Sequence, residues 1–436
     1  MSLDPRLIQE SFALVEESAD KVASHFYALL FLEDPSLRDM FPPMMDSQRD
    51  RLLAALVKVV HQVHEPDSLV EYLQQLGRDH RKFGVRPEHY DTVGRCLVAA
   101  MKRFARPGWT AEMDAAWATA FQLVAGTMIT AAEDAARSTP AYWTGRVVGH
   151  HRPSSSLAVL TVEPDQPYPF RPGQYAAIET MRWPRVWRSY SIANAPRPDG
   201  LLTFQVRALD GGWVSSALVH HTRLGDTLRL GPAVGAMVCD SASVRDVLLI
   251  GGGTGIAPLL AIAEDMTRWN TNRQVVVYFG ARRTSDLYAM PALEALRERS
   301  PWLSIVPCVS HDAWYTGERG LLPDVLTRHG VDRLNWTEHD VYLSGSAAMI
   351  RATLARLIEL EVPGPQLCFD AFGEQTDIYL GLKRQERAAA KQRKVLSSGE
   401  KLPQRQASKS SATSSEVGSD WQVSTKPPLF SSGSRA

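Results

Sequence analysis

A histidine and a tyrosine ten residues apart are the first pair in this chain whose types and spacing could do chemistry. His80 and Tyr90 lie in the segment "RDHRKFGVRPEHY", which has helix-like sequence on both sides and a proline, Pro87, between them. A neutral imidazole can ligate a transition metal, and a partner on its second ring nitrogen fixes the tautomer and makes the ligand more electron-donating. A single histidine on a helix is more often an ordinary, partly buried residue, so the rest of the chain must decide between the two interpretations.

A glycine-rich turn further along the chain predicts a dinucleotide site. The segment "VLLIGGGTGIAPLLA" reads as a buried strand, a turn and the start of a helix. Glycines let a pyrophosphate approach backbone N–H groups and the positive end of the helix. The residues that we expect at this site are Gly252, Gly253, Thr254, Gly255, Ala257 and Pro258.

Three shorter motifs upstream of this turn predict a flavin site. In "RSYS", Arg188 can pair with a phosphate, Tyr190 can lie along an isoalloxazine ring, and Ser191 can reach its reactive nitrogen edge. Read alone, "RSYS" is also compatible with an ordinary strand. The turn "DGGWVSSAL" and the segment "RPGQY" extend the set of expected flavin contacts to Gly212, Val214, Ser215, Gln174 and Tyr175.

The composition argues against several classes of function. The 436-residue chain carries 48 Lys plus Arg and 48 Asp plus Glu, so it has no net charge that would attract nucleic acid or a membrane. Its four cysteines lack CxxC spacing, which disfavours a thiolate zinc site and a disulfide framework and favours a reducing cytoplasm. We expect no apolar stretch that approaches the roughly 20 residues needed to span a bilayer.

The period of the apolar residues changes along the chain and predicts three domains and a tail. Residues 1–138 show helical spacing, which predicts an all-helical domain. Residues 141–241 alternate with a period of two between turn signals and predict an antiparallel β-barrel domain. Residues 243–373 alternate strands with helices, as in a Rossmann-like α/β domain. Residues 374–436 are basic and rich in Ser, Lys and Gln, which predicts a disordered tail.

The β and α/β motifs, in this order, resemble the ferredoxin-reductase superfamily of FAD and NAD(P)H domains. The resemblance implies that the closing segment "FDAFG" carries Phe372, which would cover the flavin face and yield to nicotinamide. The chain departs from the superfamily in "YLSGSAAM", where Ser344 and Ser346 stand in place of the usual Cys and Pro beside the nicotinamide. This departure bears on the rate of hydride transfer.

An all-helical domain ahead of such a reductase resembles the globin domain of the flavohaemoglobins, and the resemblance runs from residue 5 to about 373. It implies a globin fold that binds haem b, with His80 as the proximal iron ligand and Tyr90 behind it. It also implies Tyr27 as the distal tyrosine. The other residues that it implies near the haem are Phe41, packed on the ring, Gln48 and Leu52, one helical turn apart over the iron, and Asp370, between flavin and haem.

The family also has an acid near the proximal histidine and a lysine just before it. An ungapped comparison of "WATAFQLVAGTMITAAEDA" places Asp134 at the family's glutamate, with Glu133 one position earlier as the alternative. Asp79, immediately before His80, replaces the family's lysine, so the contact of that lysine with haem and flavin cannot be carried over.

The resemblance implies an enzyme that oxidises nitric oxide to nitrate with O2, with electrons passing from NAD(P)H to FAD to haem. Two rivals stay open: a haem and flavin reductase acting on peroxides, O2 or quinones, and a redox or gas sensor. We expect O2 and NO as small-molecule partners and a monomer or weak dimer. The segment "ARRTSD" leaves NADH and NADPH open, because Arg282 and Arg283 suit a 2′-phosphate whereas Asp286 suits a ribose hydroxyl.

Overall fold

The computed structural model of the chain describes residues 4–64, 66–105, 107–333 and 338–372. In chain order they form a helical domain, an antiparallel sheet and a parallel sheet flanked by helices, as the sequence predicts. The tail over 374–436 lies outside the described residues, so its disorder stays a prediction.

The helical domain packs amphipathic helices around one apolar core. Its α-helices are α1 (Pro5–Ala13), α2 (Ala19–Glu33), α3 (Asp46–Gln62), α4 (Pro66–His80), α5 (Pro87–Ala105) and α6 (Ala111–Ala136). Each turns an apolar stripe inward. The core residues Phe26, Leu30, Leu97, Met101 and Trp117 come from three of these helices, α2, α5 and α6.

The crossing of α4 and α6 positions the end of α4, where His80 lies. At Gly77 the two backbones approach so closely that an added Cβ would lie 2.2 Å from the Met128 carbonyl oxygen. After His80 the chain makes a short 3-10 turn, Arg81–Phe83, and stops at Gly84, whose φ of +76° gives the left-handed conformation that ends many helices. His80 therefore lies at a fixed helix end, one turn beyond a backbone contact.

Among the helices that the structure describes, α6 alone is long and apolar enough to cross a membrane by length and composition, with a mean hydropathy of 1.3 over an 18-residue window. The expectation that no apolar stretch approaches this length is therefore wrong for this segment. A core helix of a helical domain passes the same test, and α6 buries Met113, Trp117 and Met128 among its neighbours.

The second domain is a six-stranded antiparallel sheet. Its strands are β1 (Trp143–Ser154), β2 (Leu157–Pro164), β3 (Tyr175–Thr180), β4 (Arg188–Ser191), β5 (Leu202–Arg207) and β6 (Thr227–Leu230), in the order β4-β3-β6-β1-β2-β5. A four-residue helix, α7 (Trp213–Ser216), follows β5. The two edge strands approach each other at one isolated bridge, between Ile192 and Phe204. Closure into a full barrel stays a prediction.

The third domain is a parallel sheet with helices between its strands. Its strands are β7 (Asp246–Gly252), β8 (Val275–Ala281), β9 (Leu303–Val309), β10 (Glu318–Arg319), β11 (His339–Ser346) and β12 (Leu367–Phe372), in the order β10-β9-β8-β7-β11-β12. Its helices are α8 (Ile256–Met266), α9 (Met290–Glu298), α10 (Leu322–Arg333) and α11 (Ala347–Glu359). Ser344 of β11 pairs with both Gly251 of β7 and Asp370 of β12, so the carboxyl ends of three neighbouring strands meet. Ligands of such sheets bind at this edge.

Candidate functional site

Tyr27 lies inside an aromatic cluster on the predicted distal side. Its ring stacks on Phe31 with the centroids 5.9 Å apart and meets the edge of Phe41 at 5.5 Å. Its hydroxyl lies 3.4 Å from the backbone carbonyl oxygen of Gln48, at the start of α3. Leu52, one turn later on α3, packs against the same core. The structure therefore brings together the four residues predicted on this side.

Burial keeps the Tyr27 hydroxyl protonated. Only 6% of the residue is exposed, and loss of hydration raises the pKa of its phenol to about 12. A buried phenol in its neutral form can donate a hydrogen bond to a partly negative atom held beside it. The distal side therefore offers one buried donor in an apolar wall.

His80 is prepared as a neutral imidazole with one nitrogen free. Its Nδ1 lies 2.8 Å from the Leu76 carbonyl oxygen. Because a carbonyl only accepts, Nδ1 must carry the proton and donate it, which leaves Nε2 with a lone pair for iron. The surrounding protein lowers the pKa of the imidazole. These properties fit haem iron, which takes a neutral imidazole ligand.

The acid predicted behind His80 does not lie there. The Asp134 side chain is 58% exposed and forms an ion pair with Arg137 at 3.3 Å. It lines an outward-facing groove between α4 and α6, and Glu133 is also exposed. Within the described ranges, no hydrogen bond joins either acid to His80. The close crossing at Gly77 explains this, because α6 meets the backbone of α4 and turns its acidic end to solvent.

Tyr90 is half-buried on α5, and burial raises the pKa of its phenol to about 12. The described part of the chain shows no hydrogen bond between Tyr90 and His80, whose Nδ1 is already engaged by Leu76. The predicted support of His80 by Tyr90 therefore stays a prediction, whereas the carbonyl of Leu76 is a partner that the sequence analysis missed. The i−4 spacing of Leu76 on the same helix could have indicated it.

The flavin motif "RSYS" forms strand β4 at the edge of the antiparallel sheet. The Arg188 side chain is exposed, and Tyr190 is half-buried with the pKa of its phenol raised by burial. The Ser191 hydroxyl is buried, with no hydrogen-bond partner among the described residues. A buried hydroxyl normally has a partner. This orphaned group fits a flavin edge, as the sequence predicts.

The other two flavin motifs use their side chains mainly to hold backbone turns. Gln174 accepts from the Arg171 N–H at 2.9 Å and donates to the Gly235 carbonyl at 3.2 Å. The Ser215 hydroxyl lies 3.1 Å from the Gly212 carbonyl oxygen and accepts from the Leu209 N–H, so it closes its own turn. Val214 is buried, which leaves its backbone rather than its side chain for a cofactor.

The glycine turn between β7 and α8 is packed against the end of β11. A Cβ added to Gly255 would lie 2.2 Å from the Ser344 carbonyl oxygen, so this position admits no side chain. Gly252, Gly253 and Thr254 form the rest of the turn. Ala257 and Pro258 are buried at the start of α8, where the helix rests on the sheet. The cradle fits the phosphates of a dinucleotide.

Two serines replace the usual Cys and Pro beside this turn, and the structure gives each a different environment. The Ser344 hydroxyl is fully buried without a hydrogen-bond partner among the residues that the structure describes. Ser346 is the N-cap of α11, and its hydroxyl accepts from the Met349 N–H at 3.4 Å. Ser344 therefore leaves a buried hydroxyl without a partner among the described residues at the carboxyl end of β11, whereas Ser346 stabilises a helix.

Charges from the two other domains act on Tyr175, the predicted flavin contact at the start of β3. Burial, the largest cause, and the carboxylates of Asp370 and Asp79 together raise the pKa of its phenol to about 12. Asp370 is buried on β12. Phe372 pairs through its backbone with Ser346, but its side chain lies outside the described residues, so its role over the flavin stays a prediction. The predicted flavin site thus lies where the globin and NAD(P) domains meet the sheet.

Arg51 is a cation at this meeting point that the sequence analysis missed. It precedes Leu52 on α3 and keeps contact with solvent, yet loss of hydration and the charge of Arg188 both lower the pKa of its guanidinium. The charges of Asp79 and Tyr27 raise the pKa of the same guanidinium. Arg51 therefore lies within electrostatic reach of the distal tyrosine and of the turn before His80. A guanidinium here suits the carboxylates of a haem.

Lys82 and Trp187 were also missed, and they lie on opposite sides of the boundary between the helical domain and the sheet. The Lys82 ammonium pairs with Asp79 and lies 5.4 Å from the centroid of the Trp187 ring. Nothing in the sequence placed these two residues together, because they are more than a hundred positions apart. Asp286, left open as a ribose contact, pairs with Arg207 of β5 at 3.5 Å.

Comparisons with known proteins follow the same division of the chain. A globin model matches residues 24–128, an oxidoreductase FAD-binding domain model matches residues 146–238, and an oxidoreductase NAD-binding domain model matches residues 249–355. These three ranges lie within the helical domain, the antiparallel-sheet domain and the parallel-sheet domain in turn.

Relatives extend over most of the chain. A flavohemoprotein of Bordetella pertussis is 26% identical over 395 residues, which cover 84% of this chain and 97% of the relative. The ferredoxin–NAD(P)(+) reductase component of a naphthalene 1,2-dioxygenase system from Pseudomonas putida is 30% identical over 229 residues, covering 52% of this chain and 68% of the relative. The crystal structure of a flavohemoglobin from Malassezia yamatoensis with bound FAD and heme has the same fold, with a TM-score of 0.71 at 17% identity, covering 86% of this chain and 100% of that one.

The order of sites along the chain defines its class: an oxidoreductase in which NAD(P)H reduces FAD and the flavin reduces a globin haem. The matching domains and the relatives that span nearly the whole chain go further, and the chain belongs to the flavohaemoglobin family. The predicted order of an all-helical globin domain, an antiparallel FAD domain and an α/β NAD(P) domain is confirmed, and so are the predicted cofactors, haem, FAD and NAD(P)H.

Proposed function

We propose that this flavohaemoglobin oxidises nitric oxide to nitrate with O2, using NAD(P)H as the source of electrons. The observation that carries the proposal is Tyr27, a phenol that burial keeps protonated inside an aromatic wall. When bound, the haem supplies an iron centre that binds and activates O2 once reduced. The residues of the chain must then hold the reacting gases and exclude water.

The distal residues favour a small, partly charged diatomic molecule over a bulky substrate. Tyr27 supplies one hydrogen-bond donor, and Phe31, Phe41 and Leu52 give the apolar surroundings in which such a donor acts most strongly. Gln48, whose carbonyl oxygen lies next to the Tyr27 hydroxyl, would help to orient that donor. This arrangement supports O2 and NO as the gases that the site takes.

The proximal residues favour the same reaction over the cleavage of peroxides. A carboxylate hydrogen-bonded to the imidazole would make His80 strongly electron-donating, but its partner here is the neutral carbonyl of Leu76. Asp134 is exposed and paired with Arg137. A sensor is the weaker rival, because the dinucleotide and flavin motifs are complete enough for continuous turnover.

Replacement of Tyr27 by phenylalanine tests the proposal. Because a hydrogen bond to a charged acceptor contributes roughly 1.5 to 3 kcal/mol, Tyr27→Phe is expected to slow nitric oxide consumption about 10-fold or more. Reduction of ferricyanide by NAD(P)H, which needs only the flavin, should stay within about twofold. The matched control is Tyr72→Phe, which removes a hydroxyl from α4. A Tyr27→Phe enzyme that consumes nitric oxide at the wild-type rate would refute the role of the phenol.

A further inference from the structure

Lys82 is buried across the boundary between the globin domain and the FAD domain. Only 4% of its side chain is exposed, which is rare for a lysine. Its ammonium forms an ion pair with Asp79, three residues earlier. Its stem lies against the FAD domain, because a Cβ added to Gly231 would lie 3.2 Å from the Lys82 Cδ. The side chain therefore belongs to one domain and packs on the other.

The same ammonium lies over two aromatic rings, one from each domain. Its Nζ is 5.0 Å from the ring centroid of Phe83 and 5.4 Å from that of Trp187. Both distances are within the range of a cation–π attraction. Lys82 thus holds together a ring of the turn after His80 and a ring of the segment that enters β4.

The aromatic rings also form a continuous series of contacts between the two redox sites. The His80 imidazole meets the edge of Phe83 at 6.0 Å between centroids, and Phe83 meets the edge of Trp187 at 6.3 Å. Trp187 is buried and directly precedes Arg188, the first residue of the flavin strand. The proximal ligand and the flavin strand are therefore connected by two ring contacts, with the Lys82 ammonium lying over both rings.

A buried charge is a costly way to fill this space. An apolar side chain of similar volume would avoid the loss of hydration, and replacing buried ion pairs in this way is often neutral or stabilising. The ion pair and the two ring contacts fix the orientation of the Lys82 side chain, because its ammonium must contact Asp79 and both rings at once. The arrangement is thus better explained by positioning than by stability.

We propose that Lys82 is a positioning residue that locks the turn carrying His80 onto the flavin strand through Trp187, and so sets the rate of electron transfer from flavin to haem. NAD(P)H supplies the electron pair to the flavin. Each electron that crosses the boundary reduces one ferric iron to ferrous, and no bond forms or breaks. The inference rests on this electron flow and not on nitric oxide as substrate, so it can fail or hold independently of the proposed function.

The test uses the full-length holoprotein under CO, which traps ferrous haem. Mixing it with NAD(P)H without oxygen gives flavin reduction and then haem reduction as two absorbance changes. For Lys82→Met we expect flavin reduction within twofold of wild type and haem reduction at least tenfold slower. Lys82→Arg, which keeps a cation over the rings, should recover most of the rate. The matched control is Lys58→Met. The Lys58 Nζ also lies over an aromatic ring, 3.8 Å from the centroid of Tyr72, but both residues belong to the globin domain.

A second readout separates positioning from mere structural support. Lys82→Met leaves the Asp79 carboxylate without its partner next to His80, which should favour ferric iron and lower the haem midpoint potential. In Asp79→Asn/Lys82→Met the potential should return towards wild type while haem reduction stays slow. A double variant that recovers both properties would show that only charge matters and would overturn the proposal.

Trp187 keeps the inference testable if Lys82→Met folds poorly. Trp187→Leu removes the ring and should slow haem reduction at least tenfold, whereas Trp187→Phe keeps a ring and should stay within threefold. The exposed Trp314 supplies the control Trp314→Leu. Wild-type rates of haem reduction in both Lys82→Met and Trp187→Leu would overturn the proposal, as would an equal loss in Lys58→Met.

Discussion

Two residues of the predicted haem site illustrate how burial sets the protonation state that chemistry needs. Loss of hydration raises the pKa of Tyr27 and lowers that of His80, so both are neutral at ordinary pH. A neutral phenol can donate a hydrogen bond, and a neutral imidazole can ligate iron. Loss of hydration shifts the pKa of an acid upward and that of a base downward, so the same cause gives the neutral form on both sides of the predicted haem site.

The pH dependence of O2 release tests the state of Tyr27. An unperturbed tyrosine titrates near pH 10, and the pKa of Tyr27 is raised to about 12. The donor is therefore present at low pH and is lost only as the pH rises through about 12. We expect a constant rate of O2 release from the reduced protein between about pH 6 and pH 10, and a faster rate for Tyr27→Phe throughout. An increase in the wild-type rate with a midpoint near pH 10 would show an unshifted phenol.

His80 is tested by removing its imidazole. His80→Ala should abolish normal haem ligation while FAD binding and the reduction of ferricyanide by NAD(P)H stay largely intact, because the flavin and dinucleotide motifs lie on other domains. The ferrous-CO absorption spectrum checks the ligand. His64→Ala is the control, since His64 is exposed after α3 and contacts Gln9. A wild-type ferrous-CO spectrum in His80→Ala would remove His80 as the ligand.

The sequence predicted the residues that belong to short motifs and missed those that depend on distant contacts. Tyr27, Gln48 and His80 were found through the resemblance, and the structure gives them fitting environments. Asp134 was placed by counting along one helix, but the crossing of α4 and α6 turns that acid to solvent. Lys82 contacts Trp187 and lies against Gly231, which belong to the FAD domain and lie more than a hundred residues later in the chain. No motif in the sequence indicates these contacts.

At the scale of elements, the turn between β7 and α8 shows a close approach that only glycine allows. A Cβ at Gly255 would lie 2.2 Å from the Ser344 carbonyl oxygen and 2.6 Å from the Gly345 Cα. These are backbone atoms, so they cannot rotate away. We expect Gly255→Ala to slow the reduction of flavin by NAD(P)H at least tenfold, while CO binding by the dithionite-reduced haem is unchanged.

Gly126 on α6 is the matched control for that substitution. A Cβ at this position meets nothing within 4 Å. Gly126→Ala should leave flavin reduction at the wild-type rate and stabilise the helix by about 0.5 to 1 kcal/mol, which thermal unfolding of the globin domain would show. Normal flavin reduction by Gly255→Ala would mean that the turn does not hold the dinucleotide.

The types of element were predictable because each domain has its own apolar period. Helical spacing predicted α1 to α6, alternation predicted the antiparallel strands, and apolar runs such as "VLLI" predicted the buried parallel strand β7. Spacing does not give the distance between elements. The backbone contact at Gly77 and the meeting of β7, β11 and β12 follow from packing and register.

At the scale of the whole molecule, the three domains meet at the predicted flavin site. One carboxylate of the globin domain and one of the NAD(P) domain raise the pKa of Tyr175. Lys82 contacts Trp187 across the boundary between the globin domain and the FAD domain. The order of the domains was predictable from sequence. Their contacts were not, because the residues involved carry no motif and are far apart in the chain.

Two truncations test where the functional molecule ends. Cutting after Gln375 should leave haem content, FAD content and nitric oxide consumption within about twofold, because the removed segment has too little apolar surface to pack. Cutting before Asp370 removes half of β12, including the pairing of Asp370 with Ser344, and should impair electron transfer. A large loss in the longer protein would show that the tail packs on the reductase.

The stoichiometry of nitric oxide consumption tests the central claim most directly. Each NAD(P)H supplies two electrons, and each nitrate formed from one NO and one O2 requires one electron. With nitric oxide limiting, the full-length holoprotein should therefore form two nitrate ions for each NAD(P)H oxidised by the haem route. Nitrate far below this ratio, with NAD(P)H oxidation continuing and peroxide accumulating, would contradict the claim and identify a reductase of oxygen instead.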